Sequence, residues 1–333
     1  MSVLIGMSLM IKQVSVMKAN WDYLVILDAC RYDYFSELYQ DYLHGRLEKV
    51  ISLGSSTLEW CKKSFQEVYR NVIYISANPY ISSKGKVKGF RASDHFYKVI
   101  DVWDWGWDKE LGTVHPCKVN EVVQRVKDDY PSKRLIIHYL QPHAPYIGNN
   151  PHASGFPRPQ LEHGHPLVGI QNWQNHGFFE VRLEKLLAIL TKPAEIIDRN
   201  FLWKICELLK LSPVSPMDSM RRKFGDNGLE LAYVENLRLA LEYAAKLIGV
   251  LPGEIVITAD HGECLGEKGR YSHSDGCRDP LLLEIPWLVV EKTVAKVCSR
   301  RKEEKRAYVL APETTEKQEE EKIRKKLRNL GYL

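Results

Sequence analysis

Two apolar runs frame this chain. Leu24-Val25-Ile26-Leu27 stops on Asp28, and Val256-Ile257-Thr258-Ala259 stops on Asp260-His261-Gly262. Apolar runs without alternation suit strands covered on both faces of a parallel sheet. The C-terminal ends of such strands form the edge at which α/β sheets bind ligands. Carboxylate and imidazole groups delivered there from two strands predict a metal site.

Residues 134–140 and 287–290 are further runs of the same type, and 50–53 and 72–76 are weaker ones. Helical patterns fall between them at 119–129 and 229–251. This alternation predicts an α/β fold: a doubly wound, mostly parallel sheet with helices on both faces. The rhythm breaks over 149–227, which opens with a Pro/His/Gly-rich stretch and continues through helical patterns at 183–190 and 201–211. The domain expectation is a catalytic core of residues 20–148 and 228–300, with 149–227 inserted as a helical lid subdomain. Residues 1–19 form a leader and 301–333 a charged tail. In the tail, Glu320 with Arg324 and Glu321 with Lys325 give the i,i+4 pairs of a solvated helix. The leader is apolar but broken by Lys12 and Gln13. It lacks a basic segment ahead of its apolar part and is too short to span a bilayer.

With 333 residues, 44% of them apolar and 27% charged, the chain has the make-up of a folded globular protein. A net charge of +5 suits an anionic small substrate or a membrane surface. No basic stripe with interleaved aromatics accompanies it, so no nucleic-acid partner is expected. The seven cysteines are scattered with no Cys-x-x-Cys. That pattern indicates neither a disulfide framework nor a zinc ribbon, and a cytoplasmic location is expected.

Four segments carry chemistry, each with a plainer reading beside it. Asp28 ends a buried strand, where a carboxylate needs a partner or a cation; it also reads as the cap of the next helix. Ser56-x-x-Glu59 is a capping box. That box places Thr57 in the first helical turn, where free N–H groups favour an anion, and a hydroxyl there is a candidate nucleophile. His138 and His143 bracket a proline turn in His138-Tyr139-Leu140-Gln141-Pro142-His143-Ala144-Pro145; a lone histidine there would more often be structural, and two weaken that reading. Asp260-His261 can share one cation if the backbone turns at Gly262, and His273 follows a short loop later. Arg31, Lys62 and Lys63 are anion-clamp candidates, or solvated and ion-paired side chains. The cluster Trp103, Trp105 and Trp107 reads as packing or as a sugar-stacking platform.

In order and spacing, these motifs resemble the alkaline phosphatase/sulfatase superfamily. The resemblance is to its sulfatase-like branch, which also contains phosphodiesterases and phosphoethanolamine or glycerophosphate transferases. It rests on Val25-Ile26-Leu27-Asp28, Gly54-Ser55-Ser56-Thr57, the 138–146 segment, Thr258-Ala259-Asp260-His261-Gly262-Glu263 and His273 ahead of Ile285-Pro286-Trp287-Leu288. It covers roughly residues 20–148 and 231–292. The resemblance implies Asp28, Thr57, Asp260 and His261 as metal ligands, with Thr57 also the nucleophile. His143 and His273 then contact the transferred group or protonate the leaving oxygen. Apart from the resemblance, Arg31, His138 and Lys62 are the expected substrate contacts. The cofactor expected is one divalent ion, Zn²⁺ or Mn²⁺ ahead of Mg²⁺ or Ca²⁺ with a histidine ligand. A second ion held by His143, His273 and His163 or His165 is the alternative.

The sequence departs from true sulfatases. Cys61 is followed by Lys62-Lys63-Ser64-Phe65 and Cys30 by Arg31-Tyr32-Asp33-Tyr34, so neither fits the pattern converted to formylglycine. Ala29 stands where sulfatases carry a second Asp, and Gln141 where many relatives carry Asp. The expected function is hydrolysis or transfer of a phosphate ester, a phosphodiester or a phosphorylated glycan or lipid headgroup, through a covalent Thr57 intermediate. The alternatives are sulfate-ester hydrolysis without formylglycine and a catalytically silent binding protein of the same fold. The partner expected is an anionic ester, on a glycan or at a membrane surface; oligomeric state is left open.

Overall fold

The computed structural model describes residues 11–148, 155–156, 158–159, 161–162, 165–166, 207, 212–213 and 215–291. The helical patterns expected at 183–190 and over most of 201–211, the tail helix at 319–330 and His163 lie outside them.

Seven strands form the main sheet: β1 (Tyr23–Leu27), β2 (Gly45–Ile51), β3 (Tyr69–Ser76), β4 (Phe96–Asp101), β5 (Arg134–Tyr139), β6 (Ile255–Ala259) and β7 (Glu284–Val290). Their order across the sheet is β2-β7-β6-β1-β5-β3-β4. β6, β1, β5, β3 and β4 pair in parallel, and β7 runs antiparallel to both β6 and β2. The fold is thus the mostly parallel α/β sheet expected. Every residue of β1 and β6 is buried, as continuous apolar runs require. The edge strand β2 exposes Arg46, Glu48 and Lys49, the charged pattern that discourages further pairing.

Successive side chains of a strand point to opposite faces, so contacts along β5 locate the helical layers. His138 packs against Trp60 of α2 (Thr57–Ser64), the helix that follows α1 (Tyr32–Leu38) in the chain. Next in sequence, Tyr139 meets Asn120 of α3 (Pro116–Asp129) from the other face. Helices therefore cover both faces. α4 (Pro216–Ile248) buries Leu229, Ala232, Tyr233, Asn236, Leu237, Ala240, Leu241, Ala244 and Leu247, the i, i+3, i+4 stripe of a core-facing helix. It begins thirteen residues before the helix expected from Leu229, with Ser215 capping the amide of Asp218 and Pro216 in its first turn. Gly225 interrupts it at φ 72° and ψ −176°.

The chain crosses from β5 on one side of β1 to β6 on the other. This reversal opens a crevice at the strand ends. Asp28 and Asp260 both lie one residue beyond these central strands. No helix among the described residues is long and apolar enough to cross a membrane.

Candidate metal and catalytic site

The residues at this crevice form two adjoining clusters. In the first, Asp28, Asp260, His138 and His261 are all buried, and Thr57 lies beside them. His261 Nε2 is 3.3 Å from Thr57 Oγ1, 3.4 Å from Asp260 Oδ2 and 3.7 Å from Asp28 Oδ1. His138 Nε2 lies 3.7 Å from Asp28 Oδ2 and 3.9 Å from Asp260 Oδ2. Two donors bound about 2.0–2.1 Å from one tetrahedral ion stand about 3.3 Å apart. The observed spacings start at that value and run slightly above it.

Local structure fixes each donor. The Asp28 turn carries Ala29 at φ 57°, a conformation an L-residue holds only when its surroundings impose it. Here the Ala29 amide donates to Asp260 Oδ1 (3.1 Å), and its carbonyl accepts from the buried Tyr233 hydroxyl (2.8 Å). Asp260 Oδ1 also accepts from the His261 amide (2.9 Å). His261 directs Nδ1 at the Gly262 carbonyl (2.7 Å), which leaves Nε2 as the lone-pair nitrogen facing the cluster. Gly262 is needed for space: a Cβ would sit 2.0 Å from the Leu281 carbonyl oxygen.

Fit to a cation is testable on two atoms. His138 Nε2 and Asp260 Oδ2 are buried without a hydrogen-bond partner among the described residues. Leaving such a group unpaired costs about 1–3 kcal/mol, so two facing each other are well explained by a shared ion. Burial, with the charge of Asp260, pushes the Asp28 carboxyl well above its usual range. Burial opposes the charge of Asp260 too, but His261, His138 and the Thr57 hydroxyl hold it below the ordinary value. Burial drives His138 down to about 4 and also lowers His261. At neutral pH both imidazoles are therefore uncharged, the state a metal ligand requires.

The second cluster is His143, Glu263 and His273, one ligand atom from each lying within 4.8 Å of the others. His273 Nδ1 meets Glu263 Oε1 at 3.0 Å, and His143 Nε2 is 3.8 Å from Glu263 Oε2. The rings of His261 and His273 are 4.2 Å apart, which joins the two clusters. Burial lowers His143 to about 4. A second ion therefore has a carboxylate available that the sequence reading left without a role. The side chain of His165, the alternative third ligand, lies outside the described residues.

The site brings together Asp28, Thr57, His138, His143, Asp260, His261 and His273. His138 belongs to the buried donor set, not to a substrate-facing rim. Two expected substrate contacts are corrected. Arg31 is buried and its guanidinium is spent on Asp33 and Glu267, so it has no free edge for an anion. Lys62 is exposed on α2, and a Cβ added at Gly89 would lie 3.7 Å from its Nζ. The tryptophans split: Trp103 and Trp107 are buried and Trp105 is exposed, which leaves no aromatic platform. A cavity of about 360 Å³ lined by Gln13, Ser52, Glu59, Lys63, Cys277 and Arg278, among others, includes none of the two clusters' residues.

Asn78 escaped the sequence reading. Its Nδ2 donates to Asp28 Oδ2 (2.6 Å) and reaches Thr57 Oγ1 (3.4 Å). It lies two residues beyond β3, a polar residue at a strand end like Asp28 itself. Such outer-shell partners typically set metal affinity by about 10–100-fold. Asn78→Ala is expected to weaken zinc binding by about that factor in a chelator-competition titration. Unchanged affinity would remove Asn78 from the site.

Sheet order and edge cluster together define the class: a mostly parallel α/β sheet with a buried donor cluster at the carboxyl ends of its central strands. No family model matches the chain, and no curated protein matches it. Similar solved structures include the integral membrane protein lipooligosaccharide phosphoethanolamine transferase A (EptA) from Neisseria meningitidis. It has 13% identity and a TM-score of 0.45, with 80% of this chain and 47% of that one covered, so this chain spans about half its length. The C-terminal periplasmic domain of phosphoethanolamine transferase EptC from Campylobacter jejuni has 13% identity and a TM-score of 0.39, covering 84% and 82%. The C-terminal periplasmic domain of EcEptC from Escherichia coli, in complex with Zn, has 13% identity and a TM-score of 0.45, covering 81% and 72%.

The expected cytoplasmic location is contradicted here, since the solved structures just named include C-terminal periplasmic domains. The cysteines that prompted it are poor reporters. Cys30, Cys61 and Cys264 are buried, and burial raises all three thiols, which keeps them inert in either compartment.

Proposed function

We propose that this chain is a metal-dependent hydrolase or transferase of phosphate esters, acting on a phosphodiester or a phosphorylated glycan or lipid headgroup through Thr57. One observation carries the reading: the Thr57 hydroxyl, in the first turn of α2, lies 3.3 Å from His261 Nε2 within the Asp28–Asp260–His261 donor set. Asp28, Asp260, His261 and Thr57 would hold the ion, with His138 behind them; Zn²⁺ or Mn²⁺ suits this donor set. When bound, the ion supplies charge neutralisation and a lowered hydroxyl pKa.

The side chains supply the rest. Thr57 gives up its proton to the neighbouring Asp260 carboxylate as its oxygen attacks phosphorus. The Thr57 O–P bond forms, the bond to the leaving oxygen breaks, and His273 protonates that oxygen. His143, with Nδ1 on the Ala144 carbonyl, turns Nε2 toward the transferred group and donates to a non-bridging oxygen when that nitrogen is protonated. Attack by water or an acceptor alcohol then frees Thr57. Parallel assays with an aryl phosphodiester and an aryl sulfate test the substrate class. Turnover of the phosphodiester alone is the expected result; faster turnover of the sulfate would overturn it.

A further inference from the structure

Glu59 does more than cap α2. Its Oε2 accepts from the Ser55 amide (2.9 Å), the Ser55 hydroxyl (2.8 Å) and the Gly276 amide (3.0 Å), and its Oε1 pairs with Lys63. The Gly276 contact is 217 residues away in sequence and has no part in capping a helix. Neighbouring groups repeat the same connection. Ser55 Oγ lies 2.7 Å from the Ser274 carbonyl and accepts from the Cys277 amide (3.0 Å), and Ser56 Oγ reaches the Asp275 carboxylate. Asp275, Gly276 and Cys277 are thus each held by the turn of Ser55, Ser56 and Glu59, and the single Ser55 hydroxyl proton serves either Glu59 or the Ser274 carbonyl.

These two segments carry the reacting groups. Thr57 follows the turn directly, and His273 immediately precedes the held loop. The Cys264–Ser272 pairing and the His273–Glu263 contact hold the start of this loop, but residues 274–276 beyond them have little other reason to stay in place. Ser274, Asp275 and Gly276 are exposed, and Ser272 and Gly276 take positive φ of 65° and 74°. Exposed backbone of this kind opens at low cost unless hydrogen bonds restrain it.

We propose that Glu59 is a positioning residue that fastens the His273 loop to the Thr57 turn and so sets the separation between nucleophile and proton donor. The inference rests on the phosphate-ester reading of the site for its kinetic consequence, though not for the fastening itself. A misplacement of about 1 Å at a reacting group costs about 100-fold in rate. Glu59→Ala in the full chain, metal-loaded, is therefore expected to lower kcat for an aryl phosphodiester by about 10–100-fold with KM changed less than about twofold. Glu59→Gln keeps one carbonyl oxygen for Ser55 and Gly276, and restores kcat to within about fivefold.

Amide exchange provides a readout independent of activity. Gly276 and Cys277 should be protected in the wild type and in Glu59→Gln, and should exchange freely in Glu59→Ala. Ser55→Ala, which keeps the capping contact at Ser56, should expose Cys277 alone. Wild-type kcat in Glu59→Ala, or unchanged exchange at Gly276, would overturn the proposal. If the wild type turns over no phosphodiester, the reading of the site fails, and protection at Gly276 still decides whether Glu59 holds the loop.

Discussion

Replacing Thr57 with alanine is expected to reduce turnover of an aryl phosphodiester on the order of 10⁴-fold or more, because no other hydroxyl in the cluster can take its place. Ser55 and Ser56 precede it in the turn, but Ser55 Oγ is spent on Glu59, Ser274 and Cys277, and Ser56 Oγ on Asp275 and the Glu59 amide. The variant should still bind metal, since Asp28, Asp260 and His261 remain. Loss of rate with retained metal separates a nucleophile from a ligand needed for assembly. A Thr57→Ala protein with wild-type kcat would show that the hydroxyl takes no part.

Asp260→Asn should have an effect of similar size by a different route. One carboxylate oxygen is anchored by the Ala29 and His261 amides, so an amide oxygen can occupy that position. The other atom, Oδ2, would become an NH₂ aimed at the His261 and His138 nitrogens, 3.4 and 3.9 Å away. A donor there repels a cation instead of binding it. Metal content after dialysis should fall below one ion per chain and activity with it, while the fold persists. Full metal content in Asp260→Asn would place the ion elsewhere.

The frame of this molecule was legible because burial writes itself into composition. β1 is an unbroken apolar run and β5 and β6 are apolar but for Arg134, His138 and Thr258, as a parallel sheet asks of its central strands. β4 was not seen: Tyr97 and Lys98 are exposed there, and an edge strand does not look apolar. The early start of α4 was missed because the Ser-Pro residues at 212–216 read as a turn, whereas the Ser215 cap with Pro216 marks the true beginning of the helix.

For the site, strand-end polar residues were a sound guide, and the same rule applied to β3 would have found Asn78. Linear proximity was a poor one. Lys62 lies five residues beyond Thr57, which turns it about 140° around the helix and away from the crevice. Arg31 lies three residues beyond Asp28, but its charge is satisfied by Asp33 and Glu267, and only tertiary structure shows the second of these. Glu263 stood in the Asp-His-Gly-Glu run without a role, because one of its two histidine neighbours, His143, comes from a loop distant in sequence.

The most direct measurement is peptide mass spectrometry of the zinc-loaded protein quenched during turnover of an aryl phosphodiester. A substrate-derived phosphoester on Thr57, absent from the Thr57→Ala protein, is the result this account predicts. Turnover without any adduct at Thr57, or an adduct at another residue, would contradict it.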